Sequence, residues 1–342
     1  MFNQEYLKYV INGVFNCDSP SGYHKNINQL LQSYLKELGY QSTVTNKGNV
    51  EVFIKGKSSN KTVATSAHVD TLGLMIRSIN NDGTLKVTTV GGPLIPTLDG
   101  EYCKIITRDN RVYHGTILAN SPSAHVFPDA GSKERKIDNM IVRIDEVVSS
   151  KNDVLKLGIN NGDYIFIDPK TTITESGFLK SRFIDDKGSV CVLLTVLEYM
   201  SKNNIQPSYD TFVYFVNYEE VGHGASTVNN KIDEFVTIDM GCIGLDLAGN
   251  EYEASICAKD SSGPYDYELT TRLINLAKKN NVNYCVDIFP MYGSDIGAAY
   301  RSGKDLKGAL IGPGVDASHG MERTHFDALN NTMKLIYSYL TE

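Results

Sequence analysis

Five short clusters carry the side chains in this chain that can bind cations or move protons. They are AHVD with His68 and Asp70, FIDDKG with Asp185 and Asp186, NYEEVGHG with Glu219 and Glu220, IDMG with Asp239, and ASHGMERTH with His319 and His325. Imidazoles and carboxylates are the ligands that borderline divalent ions such as zinc take. Each cluster alone also has a plain structural reading. A His-x-Asp pair can be a histidine held by its neighbour, and an Asp-Asp pair before Lys-Gly can cap a helix by accepting its free N–H groups. The Glu219–Glu220 pair is harder to explain that way, because it directly follows the apolar run TFVYFV, where charge is unwelcome unless paired or bound to metal.

The elements around these clusters determine whether they can meet. The segment 26–38 places Ile27, Leu30, Leu31, Tyr34, Leu35 and Leu38 on one helical stripe with Gly39 as a stop signal. VEVFIKG and KTVATSAHVD read as strands, the second an apolar run that turns polar where its motif begins. Residues 75–172 change character to short β-prone runs separated by Asn-Asp-Gly, Gly-Gly-Pro, Arg-Asp-Asn and Asn-Asn-Gly turns, the pattern of a small all-β domain. After it, SVCVLLTVLEYMSK reads as a buried helix, DTFVYFVNYEE and FVTIDM as buried strands, and YELTTRLINLAKKN as an exposed helix. Alternating helix and strand predicts an α/β domain built from residues 1–74 plus 173–342, interrupted by the β insert at 75–172. The clusters then fall at predicted strand ends or in the loops that follow them, where open α/β sheets place their sites.

Bulk properties narrow the class. The 342 residues are 41% hydrophobic and 21% charged, an ordinary globular composition with ample material for a core. A formal charge of −7 gives no basic footprint for nucleic acid. No apolar stretch is long enough to span a bilayer, and the N-terminus lacks the pattern of a secretory signal. Six cysteines without CxxC spacing suggest reduced thiols and a cytoplasmic location.

SPSG at 19–22, AHVDTLGLMI, FIDDKGSV, NYEEVGHGAS, IDMG and GSDIGAA together resemble the M42 metallo-aminopeptidases, the glutamyl and tetrahedral aminopeptidases, over nearly the whole chain. The resemblance implies a zinc-exopeptidase-like mixed sheet flanked by helices, with a barrel-like insert used for dimerisation. It implies two divalent metal ions per subunit, Zn2+ or Co2+, held by His68, a bridging Asp185, Glu220, Asp239 and a late histidine, with Glu219 as general base. His319 stands at the matching distance after the strand GALIG, and His325 is its rival, closer to the final helix. Asp70 is suited to accept the His68 imidazole N–H and fix its tautomer. Gly293 and Asp295 resemble a loop lying against the site, where Asp295 either meets the substrate's amine or stabilises its own turn. His125, which resembles a recurrent family histidine, is not counted among the ligands.

The resemblance further implies peptide substrates with a free N-terminus and a homo-oligomer, up to a dodecamer of dimers. The chain departs from the family pattern in Lys187, where arginine is more frequent, in Asn217 and Tyr218 before the glutamate pair, and in the spelling around His319. Two other readings stay open on the sequence: a related di-zinc deacylase or carboxypeptidase, and a non-catalytic assembly protein that kept the fold.

Overall fold

A computed structural model describes residues 2–342 and divides into two compact units. One comprises the residues through Thr71 together with Lys170–Glu342, and the other is Leu72–Pro169.

The larger unit is an α/β domain on a mixed ten-stranded sheet. At its centre the strands Tyr209–Val216, Ser58–His68, Glu234–Ile238 and Lys307–Val315 lie side by side and mutually parallel. Antiparallel strands flank them: Val50–Ile54 beside Tyr209–Val216, and Ala254–Asp260 beside Lys307–Val315. The four central strands are apolar on both faces because helices cover both. Ser66 and Thr237, polar residues inside this core, pair across neighbouring strands at 2.9 Å.

The helices that cover the sheet follow from their sequences. Ile184–Lys202 is apolar all round, and its residues are buried along nearly its full length, as such a helix must be. Gln4–Phe15 buries Leu7, Val10, Ile11 and Val14, a stripe at i, i+3, i+4 and i+7, and Asn3 caps it by accepting the N–H groups of Glu5 and Tyr6. Lys25–Glu37 matches the predicted amphipathic helix to within one residue. Phe326–Thr341 packs its apolar face into the same core as the first helix. A small antiparallel sheet of Thr172–Ile173, Phe178–Ser181 and Glu322–His325 places Ser181 opposite Glu322.

The smaller unit is a closed barrel of six antiparallel strands, in the order Gly73–Ile79, Leu85–Val90, Met140–Ile144, Val112–Ala119, Tyr102–Ile106, Tyr164–Ile167. Closure removes the exposed edges that short strands would otherwise present. Among the described residues no helix is long and apolar enough to cross a membrane, and no disulfide joins the six cysteines.

Candidate metal centre

Because the four central strands run parallel, their carboxyl ends lie along one edge of the sheet. His68 is the last residue of its strand, Asp239 follows Ile238 directly, Glu219 and Glu220 follow Val216 by a short loop, and His319 lies four residues past Val315. Asp185 reaches the same place from the start of the buried helix Ile184–Lys202, where the backbone is still non-helical.

The side chains converge tightly. His68 Nε2 is 3.0 Å from Asp185 Oδ1, 3.9 Å from Glu219 Oε2 and 3.9 Å from Asp239 Oδ1. His319 Nε2 is 3.6 Å from Asp185 Oδ2 and 3.7 Å from Glu220 Oε2. Asp185 therefore turns one oxygen to each histidine. His68, Asp185 and Glu220 offer ligand atoms close enough to share an ion, as do His68, Asp186 and Asp239.

The electrostatics are those of a cation site. Asp186, Glu219, Glu220 and Asp239 are crowded together, and burial first, then mutual repulsion, holds their carboxyl groups above the ordinary range, Asp239 at about 8. Burial alone would depress the His68 imidazole, but the hydrogen bond it donates to Asp185 and the surrounding carboxylates carry it well above its usual value. Asp185 is the exception: both histidines outweigh its burial and keep it ionised. Glu220 Oε1 and Asp186 Oδ1 are buried without a hydrogen-bond partner. So many buried acids with unsatisfied oxygens fit divalent cations far better than an apolar core. The site opens to solvent at His319, whose side chain is 40% exposed.

Surrounding residues fix the donors. His68 Nδ1 lies 3.0 Å from the main-chain carbonyl of Asp70 and 3.7 Å from its carboxylate. The expected partner for the imidazole was the carboxylate; the nearer one is the carbonyl, because the Asp70 side chain is engaged elsewhere. Its oxygens accept the Ser21 hydroxyl and the N–H groups of Glu219 and Glu220. Asp186 accepts the main-chain N–H of His68 at 3.0 Å. Asp295 is almost fully buried and accepts the N–H of Ala225 at 2.9 Å, so of its two roles the loop contact is the one observed. A Cβ at Gly224 would collide with the Asp295 carboxylate and Val216, which requires glycine there.

His319 and His325 separate cleanly. His325 caps the last helix, its Nδ1 accepting the N–H of Asp327 at 3.1 Å and its Nε2 meeting the Ser176 carbonyl at 2.8 Å. It stays out of the acidic cluster. The departures from the family pattern also find places. Lys187 is buried and donates to the Cys17 carbonyl at 2.7 Å. Asn217 accepts nothing from the cluster but ties the glutamate loop to Asn49 and Gly48, and Tyr218 stacks on His223. Gly293 lines a cavity of about 620 Å³ with Ser261, Ser262, Met291, Tyr292 and Arg301. Tyr292 links that cavity to the cluster, since its hydroxyl donates to the carbonyl of Met240, next to Asp239.

Two residues near the site were not singled out from the sequence. Glu322 is buried and contacts the backbone of both Asp185 and His319. Lys47 donates to the Gly224 carbonyl and the Ser226 hydroxyl, holding the loop that follows the glutamates. Glu322 lay in plain view inside ASHGMERTH, but nothing in its spacing distinguishes it from a surface acid.

Residues 48–335 match the model of the M42 glutamyl aminopeptidase family. The chain belongs to that family. It is thus a peptide-bond hydrolase of the aminopeptidase type. The Bacillus subtilis protein named "Putative aminopeptidase YhfE" is 42% identical over 97% of this chain and 96% of its own. A lysyl aminopeptidase of Pyrococcus furiosus is 27% identical over 70% of this chain and 66% of its own. The fold is that of the TET1 peptidase of Pyrococcus horikoshii, with a TM-score of 0.87 at 21% identity over 98% of this chain and 99% of the other.

Proposed function

We propose that this M42 protein removes the first residue of peptides, using Glu219 as general base beside two divalent cations, Zn2+ or Co2+, held by His68, Asp185, Glu220, Asp239 and His319. The observation that carries the reading is Asp185, whose two oxygens face two different histidines at 3.0 and 3.6 Å, the arrangement by which one carboxylate serves two ions. Cations bound there would polarise the peptide carbonyl and lower the pKa of an attacking water. Glu219, whose proton affinity is raised by burial, accepts the water's proton at its carboxylate and returns it to the departing amine. Asp70 holds the N–H groups of both glutamates and so aims the base. Asp295 and Lys47 brace the loop that follows, and Gly293 lies on the wall of the cavity that would receive the first side chain.

Self-association belongs to the same proposal. The Pyrococcus horikoshii peptidase of this fold is described as assembling into a tetrahedron or a large octahedral shell. The barrel unit here exposes Leu94, Tyr102, Val112, Val126 and Val147, apolar surface that a contact between copies would cover. Light scattering after size exclusion reads the assembly directly. A cytoplasmic location is proposed from the scattered cysteines alone.

The activity is tested with chelator-stripped protein and a panel of free and N-acetylated peptides, with zinc, cobalt or manganese returned. Metal-dependent release of first residues from the free peptides alone is the expected result. Cleavage of the blocked peptides would replace the aminopeptidase reading with a deacylase or another exopeptidase. Glu219→Gln should lower kcat by about 10²- to 10⁴-fold with the cations still bound.

A further inference from the structure

Glu322 is 1% exposed and opens the strand Glu322–His325. Its carboxylate is shared between two main-chain donors, Oε2 accepting the N–H of Asp185 at 3.0 Å and Oε1 that of His319 at 2.9 Å. Neither donor sits in a regular ladder. Asp185 has non-helical dihedrals at the start of its helix, and His319 lies in the left-handed region at φ +64°, which residues with a Cβ adopt uncommonly. The two residues so held are the pair whose side chains face each other, His319 Nε2 to Asp185 Oδ2 at 3.6 Å.

The remaining donors are fixed without Glu322. His68 is held by its strand, by Asp186 and by the Asp70 carbonyl. Asp239 donates its N–H to the Ile311 carbonyl and accepts that of Met240. Glu220 is held through its N–H by Asp70. Glu322 thus braces Asp185 and His319, while Asp70 reaches both His68, through its carbonyl, and Glu220, through its carboxylate.

We infer that Glu322 is a positioning residue for one cation of the pair, the one faced by Asp185 Oδ2, Glu220 and His319, and that it sets that ion's affinity apart from the other's. This rests on the two-cation reading above. A carboxylate suits the task because both its oxygens accept. An amide of the same shape would turn an NH2 group against one of the two N–H donors, which displaces either Asp185 or His319.

The test is cation binding, measured by equilibrium dialysis of full-length protein against buffered Zn2+, for wild type and Glu322→Gln. Wild type should bind two ions per subunit. In Glu322→Gln one ion should keep its affinity and the other should weaken by about 10- to 100-fold, the range found when groups behind metal ligands are removed. The melting temperature of the stripped variant should stay near that of stripped wild type, and excess Zn2+ should restore kcat. Two ions at wild-type affinity would overturn the inference. So would equal weakening of both with a large drop in melting temperature, which marks a purely structural role. If Glu322→Gln does not fold, Glu322→Asp carries the same measurement, since its shorter carboxylate reaches only one of the two donors. Wild type that binds fewer than two ions would instead refute the two-cation reading itself.

Discussion

Asp70 accepts the main-chain N–H of Glu219 through Oδ1 at 3.0 Å, so the proposed base is aimed by a carboxylate 149 residues earlier in the chain. The Glu220 N–H and the Ser21 hydroxyl complete the coordination of Asp70, which has no exposed surface. Asp70→Asn keeps the shape but points an NH2 group at a donor. The expected result is a fall in kcat of about 10- to 100-fold with KM little changed and cation content retained. Unaltered kcat would show that the glutamate loop is held without it.

The two late histidines should differ in kind. His319→Ala removes a side chain from the cluster and should abolish metal-dependent turnover while barely changing the stripped protein's melting temperature. His325→Ala removes a helix cap and a contact to Ser176, so it should cost about 0.5 to 2 kcal/mol of stability and leave kcat intact at temperatures where the protein is folded. Thermal denaturation and initial rates on both variants check the pair, and lost turnover in folded His325→Ala would contradict the assignment.

Stripped protein should lose stability as pH rises from about 5 to about 8. Burial pushes Asp239 up to about 8 and Asp295 up to about 7, well above the roughly 3.9 of an unfolded aspartate, so the folded state binds more protons across this window. A raised folded pKa contributes stability that is present at low pH and lost as pH climbs through it. The raised His68 imidazole acts in the same direction. Bound cations take the place of those protons, so the gain in melting temperature on adding Zn2+ should widen between pH 5 and pH 8. A stripped protein whose melting temperature stays flat or rises over that range would speak against these shifts.

The cavity beside Tyr292 gives an expectation for the first side chain. Among the described residues that line it, Arg301 is the one cation, anchored by Nη2 to the Gly222 carbonyl of the glutamate loop at 3.1 Å, and none is a carboxylate. Peptides beginning with Asp or Glu should therefore be favoured over those beginning with Lys. Arg301→Glu should shift the ratio of kcat/KM values toward Lys by on the order of tenfold, the change that about 1.4 kcal/mol represents. Equal ratios in wild type and variant would mean that the side chain binds elsewhere.

Much of the architecture was legible because it follows from pattern. The stripe from Ile27 to Leu38 gives a helix, and the apolar runs before His68, Glu219 and Asp239 give strands whose ends carry the motif. The helix Gln4–Phe15 carries as clear a signal, an Asn cap before a stripe of Leu7, Val10, Ile11 and Val14. Glu322 carries none. Its role arises from hydrogen bonds to main-chain groups, which every residue possesses, and Asp185 stands 137 positions away.

The sequence by itself determined the chemistry available, a set of imidazoles and carboxylates in a fixed order along alternating helices and strands, and with it the family. Only the tertiary structure decided which of two histidines joins the cluster, which atom of Asp70 meets His68, and what braces His319 and Asp185. Side-chain type is local and is written residue by residue. A hydrogen-bond partner is settled by strand register and loop path, which bring together groups that the chain itself keeps far apart.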